Sequence, residues 1–358
     1  MSQATHRTNL IDFTLPQLEA FLANEAGEPK FRAMQVWQWM WQKLATDFDA
    51  MTNVSRKLRE KLAKIAEIRW PQVIASQKSN DGTMKFLLGF ADGAQAETVL
   101  IPAPNRRGEI RWSQCLSTQI GCPMGCRFCA TGQMGFQRNM SMGEILGQVL
   151  IGRKMLNDSR PDAPVLRNLV FMGMGEPLLN PALLPALTCL HEEYGANFSP
   201  RRITVSTCGV ERGLEELGKS GLAYLAISLH APNQELRKQI MPGASVWPLE
   251  RMINTLATYP LKARERITFE YLLLGGVNDS PQHARELVRL LNPLRAKLNL
   301  IVYNEVPGTA FKAPSPEAIE AFQQVLWSKN ITAILRKSRG ADILAACGQL
   351  KTGFSRAQ

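Results

Sequence analysis

Residues 202–230 read RITVSTCGVERGLEELGKSGLAYLAISLH, and the fold is decided there. RITVSTC and LAYLAISLH are short apolar runs rich in β-branched residues, the composition of buried strands. The residues between them form a helical stretch, so the unit reads strand–helix–strand, and strands joined in this way run parallel. The alternation continues in both directions. SQCLSTQ, RNLVFMG, RITFEYLLL, KLNLIVYN and ITAILRK are further candidate strands, with helices such as MGEILGQVLIGRKML and SPQHARELVRLLNPL between them. Six or seven units suit an incomplete (β/α) barrel; a doubly wound open sheet is the alternative that spacing alone leaves open. Polar and glycine-rich residues collect at the strand ends, in GMGEP, STCG, SLHAPN, GGVND and YNEVPG. In parallel α/β folds the active site lies at the C-terminal ends of the strands, so these loops are expected to face one pocket.

Upstream of the alternation the pattern changes. Residues 1–70 read as a helical accessory domain, with apolar residues at spacings of three and four in LPQLEAFLANEA and FRAMQVWQWMWQKLA. Trp37 and Trp41 share a face, and Trp39 lies on another. In SRKLREKLAKIAEIRW, Leu58, Leu62 and Ile65 line one side, and Arg56, Lys57, Arg59, Lys61 and Lys64 cover the rest. Such a face is either simply solvated or turned toward phosphates. Residues 71–105 carry Asn-Asp-Gly and Ala-Asp-Gly turns between short apolar runs, the signature of a small β meander and linker. The core is expected over 106–350, with a tail at 351–358.

A chain of 358 residues, 45% of them hydrophobic, has enough apolar material for a sizeable core and is not a disordered protein. Forty-two Lys and Arg against 31 Asp and Glu leave a net charge of +11, which favours a polyanionic partner such as nucleic acid. No apolar run approaches the ~20 residues of a membrane span, and MSQATHRTNLIDF lacks the regions of a secretory signal. A cytoplasmic protein without membrane contact is expected.

Seven cysteines, an odd number in a long chain without an export signal, argue against a disulfide scaffold. Cys122, Cys126 and Cys129 form a CxxxCxxC group in GCPMGCRFCATG. A structural zinc site wants a fourth ligand, and no His or further Cys lies close by in the chain. Three thiolates suit a [4Fe–4S] cluster whose remaining iron is open to an external molecule. Gly121, Gly125 and Gly132 let the loop wrap closely around it.

With Phe128 before its last cysteine, the triplet resembles the radical S-adenosylmethionine (SAM) superfamily. The stretches ETVLIP, FMGMGEPLLN, RRITVSTCGV, AISLHAPN and RKSRGADILAACGQL resemble the RlmN-type RNA adenine-C2 methyltransferases. The resemblance covers residues 85–350. It implies a partial (β/α)6-type, TIM-like radical SAM barrel with a small helical N-terminal domain and a short β meander. It also implies one [4Fe–4S] cluster on Cys122, Cys126 and Cys129, and two SAM per turnover, as methyl donor and radical source. SAM contacts are implied at Gly175, Glu176, Ser206, Ser228, Leu229, His230 and Asn304. The implied reaction methylates carbon 2 of adenine in 23S rRNA at the peptidyl transferase centre and in tRNA next to the anticodon.

That carbon is electron-poor and does not displace a methyl group directly. The resemblance therefore implies that Cys347 is methylated first, by nucleophilic displacement. A second SAM is then cleaved to a 5′-deoxyadenosyl radical, which takes hydrogen from the S-methyl group, and the methylene radical adds to the base. Glu97 is implied as proton acceptor, and Cys115 as the thiol that releases the product by a transient disulfide with Cys347. Cys189 and Cys208 match no such role and read as structural. Arg336, Lys337 and Arg339 are placed to hold RNA near Cys347. An electron donor such as flavodoxin, the two RNAs as partners and a monomeric state complete the expectation. The competing readings are the related carbon-8 methyltransferases, a radical SAM enzyme of another substrate, and a non-catalytic iron–sulfur RNA-binding module.

Overall fold

The computed structural model describes residues 7–158 and 165–351, so the first six residues, the 159–164 connection and the expected tail apart from Lys351 lie outside it. The N-terminal region comprises β1 (Thr8–Asn9), α1 (Leu15–Phe21), α2 (Lys30–Trp41), α3 (Arg56–Ile65) and β2 (Ala66–Glu67). Trp37 and Trp41 stack in its core with ring centroids 5.6 Å apart, and both are buried. Trp39, on the other face, donates its indole N–H to Asn53 Oδ1. The basic helix stops at Ile65, sooner than its sequence suggests, because Ala66 and Glu67 pair in parallel with Thr8 and Asn9. Tertiary pairing here overrides helix propensity.

β3 (Gln72–Lys78), β4 (Met84–Gly89) and β5 (Gln95–Pro104) form the meander, and β5 continues antiparallel onto β6 (Ile110–Cys115). After β6 come β7 (Gln119–Gly121), α4 (Ala130–Gln133), β8 (Phe136–Asn139) and α5 (Met142–Met155). The barrel continues through β9 (Leu166–Phe171), α6 (Leu183–His191), β10 (Ile203–Thr207), α7 (Glu211–Ser220), β11 (Tyr224–Ser228), α8 (Gln234–Ile240) and α9 (Leu249–Ala257). It ends in β12 (Ile267–Leu273), α10 (Pro281–Leu291), β13 (Ala296–Val302), α11 (Pro316–Ser328) and β14 (Ala333–Arg336).

One ten-stranded sheet runs β14-β13-β12-β11-β10-β9-β6-β5-β4-β3. From β6 to β14 every neighbour is parallel and follows in chain order. A doubly wound sheet would reverse its strand order at a switch point. This one does not, so the alternation builds six β/α units and a last strand of a barrel that does not close. The meander hydrogen-bonds onto the first barrel strand, which carries Glu97 of β5 toward the end of β6 where Cys115 sits.

Helices cover the outer face. In α10, Ala284, Leu287 and Leu291 are buried at helical spacing, and Ser280 Oγ caps the N-terminus by accepting from the His283 amide. α5 is buried over most of its length and carries a capping box of Ser141 and Glu144. Asp12 Oδ1 accepts from Ser141 Oγ at 2.8 Å and Gly143 N at 2.6 Å, fastening the N-terminal region to the start of α5.

Candidate active site

A cavity of about 140 Å³ opens at the C-terminal strand ends, bounded by Phe171 of β9, Ser206 of β10, Ser228 of β11, Leu272 of β12 and Ile301 of β13. Cys122, Cys126, Cys129, Gly175, Glu176, His230 and Cys347 also line it. A cavity of about 190 Å³ at the opposite strand ends, among Arg201, Lys262, Arg264 and Lys297, contains no thiol. The chemistry therefore belongs to the smaller one.

Local backbone shape places the three loop cysteines. Gly121 has φ +74°, and a side chain there would collide with the carbonyl of Gly135. A Cβ on Gly132 would lie 2.7 Å from the Cys126 carbonyl oxygen. The loop is folded so tightly on itself that only glycine fits at either position. Burial raises the Cys122 and Cys129 thiols above their ordinary range, so both are protonated at neutral pH until something positive displaces the protons. Among the described residues no group of His, Cys, Asp or Glu is drawn tightly enough to grip a single metal ion. A mononuclear tetrahedral site needs every sulfur about 2.3 Å from one point. A cubane offers each thiolate its own iron and accepts a wider triangle.

Glu176 is buried, and its Oε2 accepts from the Cys208 amide at 2.8 Å and its Oε1 from the Leu178 amide at 3.3 Å. Burial raises this carboxyl, which an incoming ammonium would relieve. Ser206 Oγ lies 3.1 Å from Ser228 Oγ and donates to Glu270 Oε2 at 3.2 Å. His230 has φ +55°, and its Nδ1 accepts from the Leu272 amide at 3.0 Å. Burial, reinforced by Arg237, pushes the imidazole down to about 3, so it is neutral and its proton sits on Nε2. Its ring meets Phe128 edge-on at 5.1 Å.

Not every expected contact reaches the cavity wall. Leu229 is fully buried behind it and donates its amide to the Glu270 carbonyl. Asn304 is outside the lining, but its buried Nδ2 has no partner. Cys115 is buried at the end of β6, beneath the cavity. Burial raises its thiol first, and the second influence is Cys347, so the two sulfurs lie within electrostatic reach across a chain separation of more than 200 residues. Cys347 is exposed, yet the surrounding protein pushes its thiol up to about 11, with Glu270 adding and Arg336 opposing. Glu97 is 1% exposed and lies outside the cavity, with Lys85 Nζ 3.1 Å from Oε1 and the Lys351 amide donating to Oε2 at 2.9 Å. Burial raises this carboxyl and Lys85 opposes the rise.

Sequence reasoning missed two residues here. Cys208, read as structural, lines the cavity, and its thiol interacts directly with that of Cys126. Glu270 also lines it, in the middle of a wholly buried strand.

Known proteins share this arrangement. The profile of the ribosomal RNA large subunit methyltransferase N-terminal domain matches residues 8–68, and that of the radical SAM superfamily matches residues 116–290. The dual-specificity RNA methyltransferase RlmN of Nitratidesulfovibrio vulgaris (strain DP4) is 65% identical over 345 residues, covering 96% of this chain and 95% of that protein. The chain belongs to the RlmN family. The RlmN of Lawsonia intracellularis is 56% identical, over 97% of each chain, and that of Marinobacter nauticus 44%, over 98% of this chain and 94% of the relative. The crystal structure of a radical SAM methyltransferase from Sphaerobacter thermophilus superposes with a TM-score of 0.89 at 42% identity, covering 96% of this chain and 99% of that one.

RlmN-family membership brings a [4Fe–4S] cluster and SAM. The cavity suits both, with three thiols on one loop and a buried carboxylate for an ammonium, while the partnerless amide of Asn304 lies outside its lining.

Proposed function

We propose that this protein methylates carbon 2 of adenine in 23S rRNA and in tRNA, with Cys347 as the carrier of the one-carbon unit. The observation that carries the reading is Cys347 on the wall of the cavity that Cys122, Cys126 and Cys129 line, with the buried Cys115 within electrostatic reach of it. A non-catalytic iron–sulfur module has no use for a second pair of thiols at the cavity. The RlmN relatives, dual-specificity RNA methyltransferases over nearly their full length, support the two RNA classes.

Cys122, Cys126 and Cys129 would hold the cluster, and Glu176, Gly175, Ser206, Ser228, His230 and Asn304 would position SAM, with Leu229 acting through its backbone. When bound, the cluster and SAM supply a transferable methyl group and a radical able to remove hydrogen from it. The chain's own residues do the remainder. Cys347 attacks as thiolate, which Arg336 favours and Glu270 disfavours. Carrying the methyl group, it reaches the base from the exposed side of the cavity. Glu97 would accept the proton that carbon 2 loses; burial raises its carboxyl, as suits a proton acceptor, and Lys85 favours its ionised form. Once the base adduct has passed its unpaired electron to the external one-electron carrier, Cys115 attacks Cys347. The S–S bond forms as the bond from the Cys347 sulfur to the one-carbon unit breaks, and the carbon left on the base takes up a proton to become methyl. Two electrons must later reduce the disulfide.

The helical N-terminal region, as a separate accessory domain, and Lys337 with Arg339 would bind RNA phosphates. An external one-electron donor of the flavodoxin class would reduce the cluster. We take the protein to act as a monomer in the cytoplasm, where its RNA substrates are; among the described residues no helix is long and apolar enough to cross a membrane.

The test is anaerobic turnover of the reconstituted protein on protein-free rRNA and tRNA lacking the modification, followed by nucleoside mass spectrometry. 2-Methyladenosine is the expected product. Cys347→Ala should reduce it by about four orders of magnitude or more, as loss of a covalent nucleophile does, while RNA affinity stays nearly unchanged. 8-Methyladenosine, or product from the Cys347 variant, would overturn the reading.

A further inference from the structure

The loop bearing Cys347 leaves the edge strand β14 and crosses to the far side of the sheet, where two buried charged residues meet it. Lys85 of β4 is 5% exposed and Glu97 of β5 is 1% exposed, and their head groups lie 3.1 Å apart. Lys85 Nζ also donates to the Leu344 carbonyl at 3.2 Å, and Glu97 Oε2 accepts from the Lys351 amide at 2.9 Å. One ion pair thus grips the loop three residues before Cys347 and four residues after it. Leu344 sits at φ +52°, a conformation that a leucine holds only when its surroundings impose it.

We infer that Lys85 is a positioning residue for the reaction: with Glu97 it closes a clasp on both ends of the 344–351 loop and thereby holds Cys347 against Cys115. The pairing explains why a lysine is buried where an apolar residue would fill the sheet face at lower cost. A buried ion pair seldom adds net stability over a well-packed apolar pair, so its retention points to a geometric task. Other contacts fix the loop's remaining sides. Gly348 O accepts from the Ala130 amide and Leu350 O from Thr131 Oγ1, tying it to the cysteine loop, while Ser79 Oγ donates to Asp342 Oδ1. Across Cys347 itself the Gln349 amide donates to the Ala346 carbonyl at 3.0 Å and the Ala346 amide to Gln349 Oε1 at 3.2 Å, so the turn is closed locally, and the clasp fastens its outer ends, 344 and 351, to the sheet. The clasp also couples the base to the nucleophile, because the carboxylate assigned to proton transfer hydrogen-bonds the segment that carries the thiol.

The inference rests on the reading of Cys115 and Cys347 as partners, and its test uses neither RNA nor turnover. Full-length cluster-loaded protein is equilibrated anaerobically with glutathione and glutathione disulfide. One glutathione disulfide is reduced to two thiols as Cys115 and Cys347 are oxidised. The Cys115–Cys347 disulfide is quantified by thiol trapping and peptide mass spectrometry. Lys85→Met should lower its equilibrium constant about tenfold, the effect of losing one charge-assisted hydrogen bond. Lys85→Arg should restore most of it. Amide exchange should quicken over 340–351 while β9–β13 remain as protected as in the parent.

Lys85→Met leaves the Glu97 charge buried and can fail to fold. Lys85→Met/Glu97→Gln removes both charges and should show the same tenfold loss. Parent-like constants in the double variant would overturn the clasp, and so would exchange that quickens throughout the sheet. Should Cys347→Ala still methylate RNA, the catalytic reading falls, while the disulfide measurement still reports whether Lys85 holds the loop.

Discussion

At Cys347 the useful chemistry is set by two opposing charges. Although the residue is exposed, the protein packed around its sulfur raises the thiol to about 11, with Glu270 adding to the rise and Arg336 opposing it. Only the thiolate attacks, so at pH 8 a small fraction of the protein is reactive at any instant. Alkylation of Cys347 by iodoacetamide, resolved by peptide mass spectrometry, should rise about tenfold per pH unit toward 11. Arg336→Gln removes the influence that lowers the pKa and should slow alkylation severalfold at pH 8. Glu270→Gln should speed it. Equal rates in the three proteins would mean that these charges do not reach the sulfur. The Cys347 motif is legible as a matched stretch of sequence, but its neighbours are not. Glu270 leaves one signal, a lone carboxylate in ITFEYLLL, where a strand buried on both faces has no other reason for a charge. Cys208 leaves none, because its partner Cys126 is 82 residues away and only the parallel stacking of β10 brings them together.

The strand-to-loop transitions explain how so much of the site is readable at the level of elements. Each expected strand from SQCLSTQ to ITAILRK is a strand in the fold, and each polar run after it arrives at the same end of the sheet. Periodicity and β-branched composition are local properties, and a parallel sheet converts local order into spatial order because its strands stack in sequence. Less legible is the crossing of the C-terminal loop back to β4 and β5, which depends on Lys85 and Glu97 and has no local periodicity. The tightness of the cysteine loop can be read from its glycines, and it gives a sharp prediction. Gly132→Ala puts a Cβ within 2.8 Å of the Cys126 amide nitrogen and 2.7 Å of its carbonyl oxygen, so the backbone must move. Iron and sulfide per chain after anaerobic reconstitution should fall to a minor fraction of the parent's, with the far-ultraviolet circular dichroism unchanged. Full iron content would show that the loop has slack that the packing does not suggest.

The net charge of +11 is a property of the whole molecule, and it is meaningful only where it is exposed. On α3, Arg56 is engaged with Glu60 at 2.7 Å, and Arg59 donates to the Asp49 carbonyl at 2.6 Å. Reversing those two charges would disturb the N-terminal fold as well as any RNA binding. Lys57, Lys61 and Lys64 are exposed and recur at i, i+4 and i+7, one stripe along the helix, while Leu58 and Leu62 anchor the neighbouring face, roughly 100° round the axis. A stripe of that spacing can follow a phosphate backbone without reading sequence, as recognition of two different RNA classes requires. Each phosphate no longer neutralised should reduce the slope of log affinity against log salt by about 0.7 to 0.9. Lys57→Glu/Lys61→Glu/Lys64→Glu should therefore flatten the slope by up to roughly three times that amount for both rRNA and tRNA. Cluster content and Cys347 alkylation should be untouched, because α3 lies outside the barrel. If the salt slope stays at the parent value, the charge of this helix serves only to keep it solvated, and the RNA must be held by the basic residues nearer Cys347.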